Sequence, residues 1–284
     1  MSLLIVREIK ERTEAFFNSK GVPDARLDTD ALIAHVLGLK RLELYLDLDR
    51  PLTENQLTVL RPLVRRRANR EPLQYILGTV EFYGMELRVD SRALIPRHET
   101  EELVDQVVKQ LHEAPEKILD LGTGSGALAL AFARKYPKAQ IDAVDVSSSA
   151  LSLARENAES LDLESRIQFY QGSWFDPLDQ DVNQYDLIVS NPPYLTQKEM
   201  STAEPEVTDH EPHGALLAGV DGLDAIRVIL KKGGDFLKQN GLLALETGIE
   251  QQAELDALSK KANLKGQCIY DLSGHPRFYF VVKS

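Results

Sequence analysis

The segment Asn191-Pro192-Pro193-Tyr194 places hydrogen-bond acceptors beside an aromatic ring, directly after the apolar run "YDLIVS". Proline fixes φ and has no N–H, so the Pro192 carbonyl is held as an acceptor and Pro193 keeps the turn rigid. The side-chain oxygen of Asn191 is a second acceptor, and Tyr194 supplies a flat face. Two fixed acceptors and a ring suit a planar NH2 group, whose weakly nucleophilic nitrogen can be aimed at an electrophilic carbon. The alternative is that this segment is only a rigid proline turn, with no role in binding or catalysis.

A glycine-rich segment, "LDLGTGSGALAL" at 119–130, follows one strand pattern and opens a helix pattern. Gly122, Gly124 and Gly126 allow the backbone to approach a ligand at the N-terminus of that helix. Asp145 ends the next strand, where a carboxylate can bind a ribose diol. The spacing fits both a nicotinamide dinucleotide and S-adenosylmethionine. Asp120 favours the second, because a carboxylate attracts a cationic ligand and repels a pyrophosphate.

Two residues near this loop have a structural and a functional interpretation. Asp120 could instead be a structural carboxylate that accepts hydrogen bonds from loop amides. Trp174 is the only tryptophan and follows the third predicted strand. Ligands of doubly wound sheets lie beyond the carboxyl ends of the strands, so Trp174 could pack against an adenine or be a half-buried aromatic residue.

From Lys117 onward, strand and helix patterns alternate, which predicts a mostly parallel sheet with helices on both faces. The last two strands are joined by the short turn "SGHP" and must be antiparallel. We therefore predict an α/β, Rossmann-like fold with seven strands, mostly parallel, with an antiparallel last strand. A small helical domain precedes it. The predicted boundaries are 1–75 for the helical domain, 76–96 for a β-hairpin linker and 97–284 for the catalytic domain, whose first helix should begin near Thr100.

The composition is that of an ordinary soluble protein: 284 residues, 43% apolar and 27% charged, with a net charge of -11. Such an acidic chain disfavours stable nucleic-acid binding, because phosphate contacts come from Lys and Arg. The single cysteine excludes an intrachain disulfide and fits a reducing compartment. The apolar run near the N-terminus is too short for a signal peptide, and no stretch approaches the ~20 apolar residues of a membrane span. We expect a cytoplasmic protein without membrane contact and take a monomer as the default.

Three other features have simpler interpretations than a site. The cluster of His210 and Glu211 could suggest a metal, and His213 lies three residues after His210. No third ligand is evident beside the two histidines, so we predict a loop that shapes the substrate channel and no metal site. A basic run should be a solvated helix face or, alternatively, a contact for an acidic partner. That run consists of Arg65, Arg66, Arg67 and Arg70. Cys268 lies in an apolar strand and is expected in the core.

Longer segments carry a resemblance to one family. "DLGTGSGALAL" together with "SNPPY" resembles class I S-adenosylmethionine-dependent methyltransferases that modify planar amino nitrogens. "EPLQYILGTVEFYG", "LIPRHETEELV", "QGSWFDPL", "EVTDHEPHGALLAGVDGLDAIR" and "LALETGIEQ" resemble the peptide chain release factor glutamine methyltransferases, the PrmC/HemK family. The match runs from about Glu71 to the C-terminus, and the helical domain, assigned to substrate recognition, also fits.

The resemblance implies methylation of the side-chain amide of the glutamine in the Gly-Gly-Gln loop of release factors, with S-adenosylmethionine as donor and S-adenosylhomocysteine as product. It implies that Asn191 touches donor and glutamine, that Pro192, Pro193 and Tyr194 hold the glutamine amide, and that Asn191, Pro192 and Tyr194 are catalytic. The implied donor-binding residues, besides Asn191, are Asp120, Gly122, Thr123, Gly124, Ser125, Gly126, Asp145 and Trp174. His98 stands where the family usually has proline, which should loosen the start of the next helix without abolishing activity.

Three rival functions remain. An exocyclic amine of adenine or guanine presents the same planar NH2, so a nucleic-acid methyltransferase is the main alternative; such enzymes must capture a base and grip phosphate. No target-recognition insertion is evident in this acidic chain. A nicotinamide oxidoreductase would leave Asn191-Tyr194 unexplained, and a non-catalytic binder would not need both motifs.

Overall fold

A computed structural model of the protein describes residues 4–178, 185–262 and 264–283. The backbone packs as two compact units. The smaller unit comprises Met1–Gly78 and Glu204–His210, and the larger comprises Thr79–Ala203 and Glu211–Ser284. None of the helices in these described parts of the chain is both long and apolar enough to cross a membrane.

The smaller unit is helical. Its helices are α1 (Val6–Ser19), α2 (Ala25–Leu37), α3 (Glu54–Ala68), α4 (Leu73–Leu77) and the short α9 (Pro205–Thr208). Helix α3 starts with a capping box in which Thr53 and Gln56 bond each other's backbone N–H groups, which satisfies two donors at the helix terminus. Phe17, Leu32 and Leu44 are fully buried between the helices and form the centre of this unit's core.

The larger unit contains a two-stranded hairpin and a seven-stranded sheet. The hairpin is β1 (Thr79–Phe82) and β2 (Met85–Arg88). The sheet strands are β3 (Lys117–Leu121), β4 (Gln140–Asp145), β5 (Ile167–Gln171), β6 (Tyr185–Ser190), β7 (Leu237–Glu246), β8 (Lys265–Tyr270) and β9 (Pro276–Val282). The helices are α5 (His98–Gln110), α6 (Ala127–Lys135), α7 (Ser148–Ser160), α8 (Gln197–Thr202), α10 (Asp224–Phe236) and α11 (Gln252–Lys261). The role of the hairpin as a linker between domains stays a prediction.

The strand order is β5-β4-β3-β6-β7-β9-β8. Strands β3 to β7 are parallel, whereas β9 runs antiparallel to both β7 and β8. The predicted sheet is thus confirmed. The order changes direction beside β3, and β6 lies on its other side, so the ends of β3, β4 and β6 border one crevice.

Apolar side chains alternate between the two faces of the sheet, as its period of two requires. On β7, Leu242 and Ala244 join the core that covers α5 and α6, while Leu243 and Leu245 join the core beneath α10. The sheet is therefore covered by apolar side chains on both faces.

The prediction of a solvated basic face is wrong for Arg67. Its side chain is buried, and its guanidinium donates to Asp28 at 2.6 Å and to Glu206 at 2.7 Å. Arg70 also donates to Glu206, at 2.6 Å, whereas Arg65 is exposed. The sequence pattern missed this because Glu206 is far from Arg67 in the chain. The two arginines instead hold the Glu204–His210 segment within the helical unit.

Replacing Arg67 with methionine should destabilise the smaller unit, because the Asp28 and Glu206 carboxylates then lose a buried partner. Breaking a buried ion pair costs about 3 kcal/mol or more. We expect a clearly lower midpoint of thermal unfolding, measured by circular dichroism. Arg65→Met is the matched control and should unfold as the wild type does. Equal midpoints for the two variants would contradict the importance of this network.

Candidate active site

A cavity of about 430 Å³ opens at the carboxyl edge of the sheet, within the size range of small-molecule sites. Most of the residues selected from the sequence line it. They are Asp120, Gly122, Thr123, Gly124, Ser125, Asp145, Trp174, Asn191 and Pro193. The structure thus brings the glycine loop and the start of the Asn-Pro-Pro-Tyr motif to one cavity.

Three selected residues do not line this cavity: Gly126, Pro192 and Tyr194. Gly126 lies at the start of α6 with φ +87°, and a Cβ there would come within 3.2 Å of the Ala154 Cβ. Pro192 is buried. Gly126 therefore serves the packing of α6 against α7, and any contact of Pro192 and Tyr194 with a ligand lies outside the bounds of this cavity.

The glycine loop is tied to the neighbouring strand. The N–H groups of Gly122 and Thr123 both donate to the Val144 carbonyl, at 2.8 and 3.0 Å. Gly122 has a positive φ, and the Trp174 ring lies 3.6 Å from where its Cβ would be. Trp174 itself adopts a φ of +51°, an uncommon conformation that a non-glycine residue keeps only when its surroundings hold it. The ring and the loop together form one side of the cavity.

Asp120 is a buried carboxylate with one unpartnered oxygen. Its Oδ2 accepts from the Thr123 hydroxyl at 2.6 Å and from the Ala129 N–H at 3.1 Å, whereas Oδ1 has no hydrogen-bond partner. Burial, with a smaller contribution from the nearby Asp145 charge, raises the pKa of Asp120 to about 7. Asp120 therefore holds the loop, as the structural interpretation expects, and a role of its second oxygen in ligand binding stays a prediction.

Asp145 also holds the loop. Its two oxygens accept from the N–H groups of Gly124 and Ser147, each at 2.9 Å. Burial raises the pKa of Asp145, although these hydrogen bonds oppose the shift. Each carboxylate oxygen can accept a second hydrogen bond, so the group remains available to a hydroxyl in the cavity.

Asn191 belongs to a chain of side-chain hydrogen bonds. Its Nδ2 donates to the Thr100 hydroxyl oxygen at 3.0 Å, and the Thr100 hydroxyl donates to Glu246 Oε2 at 2.7 Å. The Tyr194 hydroxyl donates to Glu246 Oε1 at 3.2 Å. Asn191 Oδ1 is thereby left as the acceptor. Sequence reasoning missed Thr100 and Glu246. The available signal was that both are polar residues inside the quoted segments "LIPRHETEELV" and "LALETGIEQ".

Helix α5, which carries Thr100, begins at His98, two residues before the predicted start. The acidic residues Glu99 and Glu101 in its first turn favour this earlier start, since carboxylates stabilise helix N-termini. His98 is almost fully exposed and pairs with Glu101 at 2.7 Å. The histidine is therefore accommodated as the first residue of the helix.

Glu211 connects two segments that border the cavity. It accepts from the Ile95 N–H at 3.2 Å and from the Arg97 guanidinium, and burial raises its pKa. Residues 92–96 and the loop at 212–215 contribute to the cavity lining. Among the residues that the structure describes, no three His, Cys, Asp or Glu side chains are grouped to hold a metal. The Glu211 contacts support the predicted channel-shaping loop.

Cys268 is partly buried against the core under α11.

Comparison with known proteins identifies the family. The PrmC N-terminal domain matches residues 8–78, and the methyltransferase small domain matches residues 99–208. A release factor glutamine methyltransferase of Geobacter sulfurreducens is 43% identical over 246 residues, which cover 87% of this chain and 85% of the relative. One from Rhodopirellula baltica is 40% identical, covering 98% of this chain and 96% of the relative.

The chain belongs to the release factor glutamine methyltransferase family. This confirms the resemblance drawn from its sequence segments. The fold agrees with that of a Thermus thermophilus 16S rRNA N2 G1207 methyltransferase, solved in complex with AdoMet and guanosine, at a TM-score of 0.53 and 17% identity. That likeness covers 72% of this chain and 50% of the other, and it supports the class I methyltransferase fold alone.

For this methyltransferase, we expect Gly126→Ala to lose more stability than Gly274→Ala. Both positions have a positive φ, which costs a non-glycine residue about 1 kcal/mol or more. Gly274 has open space around its missing Cβ, whereas Gly126 faces Ala154 at 3.2 Å and Leu130 at 3.3 Å, so crowding adds to the cost. Thermal unfolding measures both variants. Equal losses would show that α6 and α7 can separate without cost.

Proposed function

We infer that this protein transfers a methyl group from S-adenosylmethionine to the side-chain amide nitrogen of the glutamine in the Gly-Gly-Gln motif of peptide chain release factors. The observation that carries this conclusion is the Asn191 amide. Its oxygen is left as an acceptor at the cavity that the glycine loop lines, in a chain closely similar to release factor glutamine methyltransferases. We propose that the helical unit recognises the protein substrate.

The cavity fits S-adenosylmethionine because its polar groups match a cation with a ribose. The unpartnered, buried Oδ1 of Asp120 would accept from the ammonium of the methionine part, and Asp145 would accept from the ribose hydroxyls. Gly122 to Ser125 would approach the donor through their backbone, and Trp174 would pack against the adenine. When bound, the donor supplies a methyl group activated by its positive sulfonium.

The chain itself supplies positioning for the methyl acceptor. We propose that Asn191 Oδ1 and the Pro192 carbonyl accept the two amide hydrogens of the glutamine, with Pro193 holding the turn and Tyr194 beside the amide plane. These bonds direct the nitrogen lone pair at the methyl carbon, which is preorganisation and needs no strong base. The nitrogen becomes more acidic as it gains the methyl group, and its proton then leaves to water.

A nucleic-acid substrate is the main alternative, because a nucleobase amine would satisfy the same acceptors. The net charge of -11 opposes a grip on phosphate. Most of the one conspicuous basic run is not available to bind phosphate, because Arg66, Arg67 and Arg70 each bond a carboxylate of the chain itself. We therefore propose that the enzyme does not bind nucleic acid stably. We also propose that it is cytoplasmic and monomeric.

The direct test is incubation with S-adenosylmethionine labelled in its methyl group and either a release factor or bulk ribosomal RNA and DNA. We expect label on the Gly-Gly-Gln peptide after proteolysis. Asn191→Ala should lower turnover about 100-fold or more, because a displaced acceptor group loses alignment, while donor affinity by calorimetry falls much less. Label on nucleic acid and none on the peptide would sink the proposal.

Asp120 predicts a proton-linked donor affinity. Its pKa of about 7 means that the carboxyl group is increasingly protonated, and its attraction for a cation lost, as the pH falls from 8 to 6. Donor affinity should therefore rise with pH over this range, and binding near pH 7 should release protons, seen by calorimetry in buffers of different ionisation enthalpy.

Asp120→Asn should abolish this proton release and weaken donor binding about 10-fold, the value of one charged hydrogen bond. Asp176→Asn changes an exposed carboxylate paired with Lys232 and is the matched control. Proton release that persists in Asp120→Asn would assign the linkage to another group.

A further inference from the structure

We propose that Thr100 and Glu246 are positioning residues that fix which end of the Asn191 amide faces the methyl acceptor. The proposal rests on the function assigned to Asn191 above. Neither residue is placed against the reacting nitrogen. Each acts through the polarity of hydrogen bonds, which decides whether Asn191 presents its oxygen or its NH2.

The direction of each hydrogen bond between Asn191, Thr100 and Glu246 follows from the number of protons that each group can donate. An ionised Glu246 can only accept, and it accepts from both Thr100 and Tyr194. A threonine hydroxyl has one proton, and Thr100 uses it on Glu246. Its oxygen can then only accept from Asn191, so Nδ2 must point to Thr100 and Oδ1 must point away. The orientation of the catalytic amide is therefore set by a carboxylate two hydrogen bonds distant.

The chain of groups is rigid because different elements hold each member. Thr100 lies in the first turn of α5, Asn191 follows β6, and Glu246 ends β7. Strands β6 and β7 pair with Ser190 opposite Leu245, which places the next residues of both strands side by side. Thr100 and Glu246 are only 4% and 1% exposed, and water is thus kept from competing for their hydrogen bonds.

Protonation of Glu246 would remove this constraint. A protonated carboxyl can donate to the Thr100 oxygen, which frees the Thr100 hydroxyl to donate to Asn191 Oδ1. The Asn191 amide would then turn its NH2 toward the NH2 of the glutamine, and two donors would face each other. The orientation required for catalysis thus needs the ionised form.

The surroundings of Glu246 cause its protonation to occur near neutral pH. Burial raises the pKa of Glu246 to about 7, with a smaller effect in the same direction from Glu99. Thr100, Arg277 and Tyr194 act in the opposite direction and stabilise the charge. Because the ionised form dominates above this pKa, turnover should rise as the pH increases through about 7.

Thr100→Val and Thr100→Ser test the hydroxyl. Valine has the same shape without a donor or acceptor, so kcat should fall about 100-fold at saturating donor while the donor KM changes little. Serine keeps the hydroxyl and should restore kcat to within a few fold of the wild type. Wild-type kcat in Thr100→Val would overturn the proposal, as would equal losses in both variants.

Glu246→Gln tests the carboxylate through the pH profile of kcat, measured from pH 6 to 8 at saturating donor so that the donor linkage of Asp120 does not contribute. The wild type should lose activity below about pH 7, and the variant should have a lower, flat profile. A profile in Glu246→Gln that keeps the wild-type acid limb would overturn the proposal. A wild type that transfers no methyl group to release factors would instead refute the proposed function.

Discussion

Parallel strand pairing is the constraint on which the site depends. Neighbouring parallel strands end at the same edge of a sheet, so the order β4-β3-β6-β7 gathers residues from distant parts of the chain. Asp120 lies in β3 and the glycine loop follows that strand, Asp145 ends β4, Asn191 follows β6 and Glu246 ends β7. Because apolar layers cover both faces, this edge is where polar side chains can meet without disturbing the core.

Asp120, Asp145 and Glu246 lie at this edge, the first and last buried and Asp145 half-buried, and their hydrogen-bond partners differ. Asp145 has each oxygen bonded by a backbone N–H, Asp120 keeps one oxygen free, and Glu246 accepts only from side-chain hydroxyls. Burial raises the pKa of all three. The shifts are tolerated because every carboxylate has hydrogen-bond donors, and the collected negative charge favours a cationic ligand over a phosphate.

The sequence was sufficient for features that depend on local pattern. Alternating elements predicted the sheet, and strand ends predicted the loop, Asp145 and Asn191, since strand and turn signals are local. It was insufficient where a partner lies far along the chain. Thr100 bonds Asn191 and Glu246, and Arg67 bonds Glu206, only because the folded backbone brings them together. No spacing rule marks such pairs, so Arg67 was assigned to solvent and Thr100 and Glu246 were overlooked.

The position of Trp174 gives the molecule a built-in optical reporter. It is the only tryptophan in the sequence, and it lines the cavity with its ring against Gly122. Indole emission responds to the polarity and stacking around the ring. Fluorescence excited at the red edge of the protein absorption spectrum therefore comes almost entirely from this ring, and a ligand that changes the polarity at this wall of the cavity would change the emission of the unlabelled chain.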